Sequence, residues 1–272
     1  MMANDIPSYT SYPEVNITLH DLKKRLKLVF SKQLIGIYIH GSLAAGGFNR
    51  QRSDIDFLIV TSNEIHRKLF SDLQRMHNKI IDDHPEWGMK LEGSYITREK
   101  FYQIDVPCSP RPYLHNGHLE FCEYGPEWIL ERHVLREHGI VLEGPKPNMV
   151  IERISPIQIK KATLKFLYDW WMPMLKDTKR LSDSEYQVYT VLTMCRVLYT
   201  LQTGNISSKE TAAKWVISIY KQWSKLINQA LKWEKEQPFN LKKHTVKFIN
   251  FTVGRSKQIV ESKSIIEDDL FK

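Results

Sequence analysis

At 272 residues, with 42% hydrophobic and 26% charged side chains, the chain has an ordinary globular composition and suits one large or two modest domains. No apolar run approaches the ~20 residues that span a bilayer, and the start MMANDIPSYTSYP lacks a signal-peptide core, so neither a membrane protein nor a secreted one is expected. The net charge of +8 favours an anionic partner such as a nucleotide, a nucleic acid or an acidic surface, although positives spread over solvated helix faces account for it as well.

The cysteines, Cys108, Cys122 and Cys195, are odd in number and not at metal-ligand spacing, so a reduced, cytoplasmic chain is expected. Residues 1–16 are polar and read as a loose arm. Thr18 with Asp21 resembles a capped helix start, and Leu19, Leu22, Leu26, Val29 and Phe30 follow at helical spacing. A strand over Ile35–His40 leads into a small basic loop containing glycines, and a second apolar strand covers Ile55–Val60. Asn63 is placed to cap the next helix, whose face is Ile65, Leu69, Leu73, Met76 and Ile80. After Pro85 and Gly88 comes a third strand, Met89–Thr97.

Residues 101–126, with Pro107, Pro110, Pro112, Asn116-Gly117 and Gly125-Pro126, read as a long irregular loop of the kind that serves as a lid or binding loop. A helix over Glu127–His138, ended by Gly139, and an edge strand at Ile140–Leu142 complete the unit. The segment EGPKPNM closes it, which gives expected domains of 1–150 and 151–272. From residue 155 the strand signals stop, and amphipathic stripes follow. Ile159, Ala162, Phe166, Trp170 and Met174 form one, and Val188, Val191, Cys195, Leu198 and Tyr199 another. Ala212, Trp215 and Ile219, then Trp223, Ile227 and Ala230, then Val246, Ile249 and Val253 complete a helix bundle.

The chemistry concentrates in IYIHGSLAAGGFNRQRSDIDFLIV, from Ile37 to Val60. Asp54 and Asp56 open the second strand at i, i+2, so they share a face with Cα atoms roughly 7 Å apart, close enough to share divalent cations. Buried carboxylates need partners or metal. The Gly41-Ser42 turn can offer backbone N–H groups to a phosphate at the same end of the sheet. Glu92 stands in mid-strand among apolar neighbours, where a lone glutamate is costly without a role, whereas Glu86, Glu99 and Asp105 sit in loops or at element ends. Ser207 and Glu210 have capping-box spacing, which puts Lys209 in the first turn of a helix. A cation there opposes the helix dipole unless an anion sits at the N-terminus to relieve the conflict.

The pattern Gly41-Ser42 … Ser53-Asp54-Ile55-Asp56 before an apolar strand resembles the nucleotidyltransferase superfamily. Residues Tyr189–Tyr199, then Thr203–Lys209 and Ala212–Trp215, are similar to the C-terminal helical domain of aminoglycoside adenylyltransferases that modify streptomycin or spectinomycin at a 3'' or 9 hydroxyl. The resemblance implies an α+β fold: a polymerase-beta-like nucleotidyltransferase domain with a mixed sheet, followed by an all-α helical bundle. It implies ATP and Mg2+, with Asp54, Asp56 and Glu92 as metal ligands, Glu92 as general base, and Gly41, Ser42, Ser53 and Lys209 at the nucleotide. Streptomycin-modifying relatives carry acidic drug contacts before the helix of Tyr189–Tyr199; here Tyr186 stands about where one family aspartate would be, with Asp183 and Glu185 nearby as candidate acceptor contacts, and the Gly-Glu-Trp motif is missing from Pro107–Tyr124. The expected partner is an aminoglycoside-type antibiotic, met by a monomer without nucleic acid or membrane. The alternatives are another small-molecule or protein hydroxyl as acceptor, or a non-catalytic nucleotide- or nucleic-acid-binding module.

Overall fold

A computed structural model describes residues 7–262 apart from 104, 108 and 236. The chain forms two compact units, Met1–Arg153 and Ile154–Lys272.

The first unit opens with helix α1 (Pro13–Phe30), strand β1 (Leu34–Ile39), the short helix α2 (Gly41–Ala44) and strand β2 (Ile55–Thr61). Helices α3 (Arg67–Asp83) and α4 (Pro85–Gly88) lead to β3 (Leu91–Thr97) and α5 (Arg98–Tyr102). A hairpin of β4 (Arg111–His115) and β5 (His118–Cys122) follows, then α6 (Glu127–His138), β6 (Ile140–Glu143) and α7 (Pro147–Val150). The sheet order is β5-β4-β3-β2-β1-β6, and β2 with β3 is its one parallel pair. Alternation puts Ile37, Ile39, Ile55, Phe57, Ile59, Leu91 and Tyr95 on the face packed against Leu19, Leu22 and Leu26 of α1 and Leu73, Met76 and Ile80 of α3. Tyr38, Leu58, Val60 and Ile96 point the other way, onto Phe101 of α5 and Trp128 and Leu135 of α6. Strands β2 and β3 are therefore covered on both faces, which is why they read as nearly continuous apolar runs.

Several expectations change. The first helix starts at Pro13, and Thr18 lies inside it, buried. Part of the expected loose arm is tied down: Asn16 Nδ2 donates to the Thr10 carbonyl at 2.9 Å, and its Oδ1 accepts from the Thr10 amide at 2.9 Å. Residues 1–6 of that arm and Cys108 lie outside the described residues, and Cys122 and Cys195 are free thiols. His66, not Asn63, caps α3, because the helix starts at Arg67 and leaves Asn63 three residues before the cap position; the Asn63 carbonyl is held instead by the Thr61 hydroxyl at 2.8 Å. The second half of the expected irregular loop holds the β4–β5 hairpin. Its turn is Asn116-Gly117, with φ of 49° and 75°, the left-handed pair that a two-residue hairpin of this kind requires.

The second unit contains α8 (Pro156–Phe166), a π-helical turn (Leu167–Trp171), α9 (Ser184–Thr203), α10 (Lys209–Ile219), α11 (Ser224–Lys232) and α12 (Lys242–Ser262), and no strand among the described residues. Helix α9 is central: Val191, Cys195 and Leu198 are fully buried, and α8, α10, α11 and α12 all pack on it. The π turn inserts an extra residue into the helical period, which moves the buried position from Trp170, 43% exposed, to Trp171, 0% exposed. Ile219, expected on an apolar stripe, is exposed. Among the described residues no helix is long and apolar enough to cross a membrane.

Candidate active site

Strand register assembles the site. In the parallel pair, Asp56 lies opposite Glu92, Leu58 opposite Ser94 and Val60 opposite Ile96, so Asp56 and Glu92 are cross-strand neighbours on one face at the beginning of both strands. The end of β1 is stitched to the same place, where the His40 amide donates to the Asp56 carbonyl at 2.9 Å. The chain then turns through Gly41 at φ +60°, backbone that L side chains rarely adopt. A Cβ at this position would collide with the Asp56 carboxylate, so only glycine lets the turn lie against that aspartate. Ser42 sits in the first turn of α2. Asp54 lies in the coil just before β2 and is exposed, outside the strand in which its alternation with Asp56 was expected. Ser53 closes the loop, its hydroxyl accepting from the Asn49 amide at 3.0 Å.

Glu92 is engaged from β4. Tyr113 donates its hydroxyl to Glu92 Oε1, and His115 Nδ1 lies 3.3 Å from the same oxygen. Arg111, two positions earlier on that face, is buried; its Nε donates to Ser94 Oγ at 2.7 Å and its Nη1 to the Glu123 carbonyl at 2.8 Å. Its guanidinium also lies 4.3 Å from the centre of the Tyr124 ring. Helix α6 packs on α2 and brings Glu131 towards this face. Burial pushes the Glu131 carboxyl up from the ordinary 4.5 to about 7; His40 and Arg111 oppose the rise, while Glu127 and Asp56 add to it. Burial lowers the His40 imidazole, against the pull of Glu131 and Glu92. Among the described residues no three His, Cys, Asp or Glu side chains already converge as a metal cluster.

The remaining candidates belong to the second unit. Ser208, rather than Ser207, caps α10, accepting from the Thr211 amide at 3.1 Å, so Lys209 is the first helical residue and its Nζ lies 5.1 Å from the Tyr189 ring centre. Glu210 does not close a capping box; it pairs with Lys214. Asp183 caps α9 by accepting from the Tyr186 amide at 2.7 Å, and Glu185 is exposed in the first turn. Tyr186 packs with Trp171 and Tyr189, its hydroxyl directed at Met174 Sδ.

Arg111, Tyr113, His115, His40 and Glu131 are the residues that sequence reasoning passed over. The first three alternate along a strand whose signal was present, Asn116-Gly117 between runs of period two, but the three prolines nearby read as a loop instead. Glu131 had no signal of its own, being one of several glutamates on α6.

Comparison with known proteins agrees with this architecture. A family model described as a nucleotidyltransferase domain matches residues 19–112, and one described as the C-terminal domain of aminoglycoside adenylyltransferase matches residues 168–253. A spectinomycin 9-adenylyltransferase of Campylobacter jejuni is 29% identical over 204 residues, covering 70% of this chain and 73% of its own. An aminoglycoside (3'') (9) adenylyltransferase of Escherichia coli is 23% identical over 269 residues, covering 91% and 97%. The crystal structure of spectinomycin adenyltransferase AAD(9) from Enterococcus faecialis, with ATP and spectinomycin, superposes with a TM-score of 0.72 at 18% identity, over 89% of this chain and 98% of that one, and shares its fold. The chain is an aminoglycoside adenylyltransferase-like enzyme of the nucleotidyltransferase superfamily.

Proposed function

We propose that the enzyme transfers AMP from ATP to a hydroxyl of an aminoglycoside-type antibiotic, spectinomycin or streptomycin, and releases pyrophosphate. The observation that carries this reading is the register that sets Asp56 beside Glu92, with the Gly41 turn folded against Asp56. Names of relatives support the acceptor class. The donor set of Asp54, Asp56 and Glu92 consists of hard carboxylate oxygens and fits Mg2+. When bound, Mg2+ would neutralise the charge of the ATP phosphates during in-line displacement.

The chain's own groups do the rest. Asp54 and Asp56, with Glu92 beside them, would hold the ion, and Gly41 and Ser42, with Ser53 bracing the loop, meet the phosphates. Glu92 takes the proton from the attacking hydroxyl. Lys209, at the start of α10, contributes positive charge to the triphosphate. Asp183, Glu185 and Tyr186 contact the acceptor, and two carboxylates suit a polycation.

The test is pyrophosphate release by the purified chain with ATP, Mg2+ and either spectinomycin or streptomycin. Asp56→Ala abolishes turnover on this reading. Full activity in that variant would show that Asp56 does not hold the metal.

A further inference from the structure

Within the proposed adenylyl transfer, on which this inference rests, the geometry points to Tyr113 as the positioning residue for Glu92: its hydroxyl holds Oε1, so that Oε2 is presented to the acceptor. Both side chains that reach Glu92, Tyr113 and His115, meet it at Oε1, and among the described residues neither reaches Oε2. The two contacts are unequal. His115 is half-exposed, so water competes for its place, whereas Tyr113 is half-buried.

The position of Tyr113 is fixed from three sides. The backbone of β4 is registered on β3 with Tyr113 opposite Ser94, and Ser94 is in turn bound by Arg111. The Arg111 guanidinium lies 5.4 Å from the centre of the Tyr113 ring, and the His115 ring stacks at 6.5 Å on the same side of the sheet. A glutamate has three side-chain torsions, and ordering such a chain costs rotamer entropy. Anchoring one oxygen beforehand removes that cost from the reacting complex, and positioning within the site is what makes a general base effective. Tyr113 touches neither ATP nor acceptor in this scheme and acts only through Glu92.

The experiment compares wild type, Tyr113→Phe, Glu92→Gln and the double variant in pyrophosphate release with spectinomycin, together with the ATP- and Mg2+-induced shift in thermal midpoint. Tyr113→Phe should lower kcat by about 10–100-fold, the range seen when a group orienting a ligating or catalytic side chain is lost. KM for both substrates should stay within twofold of wild type, and a thermal shift with ATP and Mg2+ should still be seen, which shows that the variant folds and binds nucleotide. The double variant should be no slower than Glu92→Gln, because Tyr113 has nothing left to orient. A kcat for Tyr113→Phe within twofold of wild type overturns the inference, as does a double variant whose losses multiply. Wild type silent with every acceptor removes the adenylyl-transfer reading itself and this inference with it, an outcome distinct from an active wild type matched by Tyr113→Phe.

Discussion

At φ +60° and with Asp56 lying where its Cβ would be, Gly41 tolerates no side chain without moving the aspartate. Gly41→Ala is expected to reduce kcat/KM by on the order of 10²-fold, since a displacement of about 1 Å at reacting groups has that effect. Steady-state pyrophosphate release measures it, and wild-type kinetics in the alanine variant would mean that the turn and Asp56 are not coupled. Asp183 presents the opposite problem, because its capping bond to the Tyr186 amide already explains an aspartate there. Asp183→Ala should destabilise the fold by about 1 kcal/mol, the usual worth of a cap, whereas Asp183→Asn retains the bond and removes the charge. If the carboxylate meets a cationic acceptor, KM for that acceptor rises in both variants; if Asn leaves KM unchanged, the residue is a cap alone.

Elements place these residues, and one of them shifts a whole face by one position. The π turn makes neighbouring tryptophans unequal, with Trp171 fully buried against Phe166 and Tyr186 and Trp170 outside beneath the Arg180 guanidinium. Trp171→Ala is expected to cost about 3–5 kcal/mol, as large aromatic deletions in a core do, and Trp170→Ala under about 1 kcal/mol. Denaturant unfolding of the two variants would show the difference, and equal losses would contradict the shift. The same comparison marks what could be read from the sequence. Strands β1, β2 and β3 and the stripes of α9 and α12 follow from hydrophobic period, Asp56 and Glu92 from their places on those strands, and Gly41 from the break that follows β1. The extra residue of the π turn has no signature in period, so Trp170 stood in for Trp171. The hairpin carrying Tyr113 was hidden because Pro107, Pro110 and Pro112 outweighed one Asn-Gly pair. The caps of α3 and α10 each fell off the expected residue, because several Ser, Thr, Asn and Asp residues compete at every helix start.

For the whole molecule, a buried histidine and a partly buried glutamate tilt stability in opposite directions over an overlapping range of pH. Burial lowers the His77 imidazole to about 3; its Nε2 is bonded to the Tyr95 hydroxyl inside the sheet–α3 core. The unfolded chain therefore takes up a proton near the ordinary 6.5 that the folded chain refuses, and the stability contributed by His77 is lost as pH falls from 6.5 towards 3. Glu131 behaves conversely. Its folded value of about 7 lies above the ordinary 4.5, so its contribution is fully present below 4.5 and is lost as pH rises through 7. Denaturant unfolding at pH 5 and pH 8 should show His77→Gln losing less stability than wild type on going to pH 5. Glu131→Gln should lose less than wild type on going to pH 8. A pair of variants with slopes parallel to wild type would show that neither group titrates as its burial requires.

The parallel pairing of β2 with β3 also has a consequence for the order in which the chain folds. Strands β1 and β2 are joined through residues 40–54, which include α2, and β4 and β5 close through two residues, so both antiparallel pairings are more local in sequence than the β2–β3 pairing. Asp56 belongs to the first pairing, and Tyr113 and His115, which meet Glu92, belong to the second. The two pieces meet only when β3 docks beside β2 after a crossover that includes α3 and α4, the slowest kind of contact to close. A chain interrupted before this step is expected to hold most of its secondary structure and no working site. Catalytic competence would then mark the last event of folding rather than accompany its first.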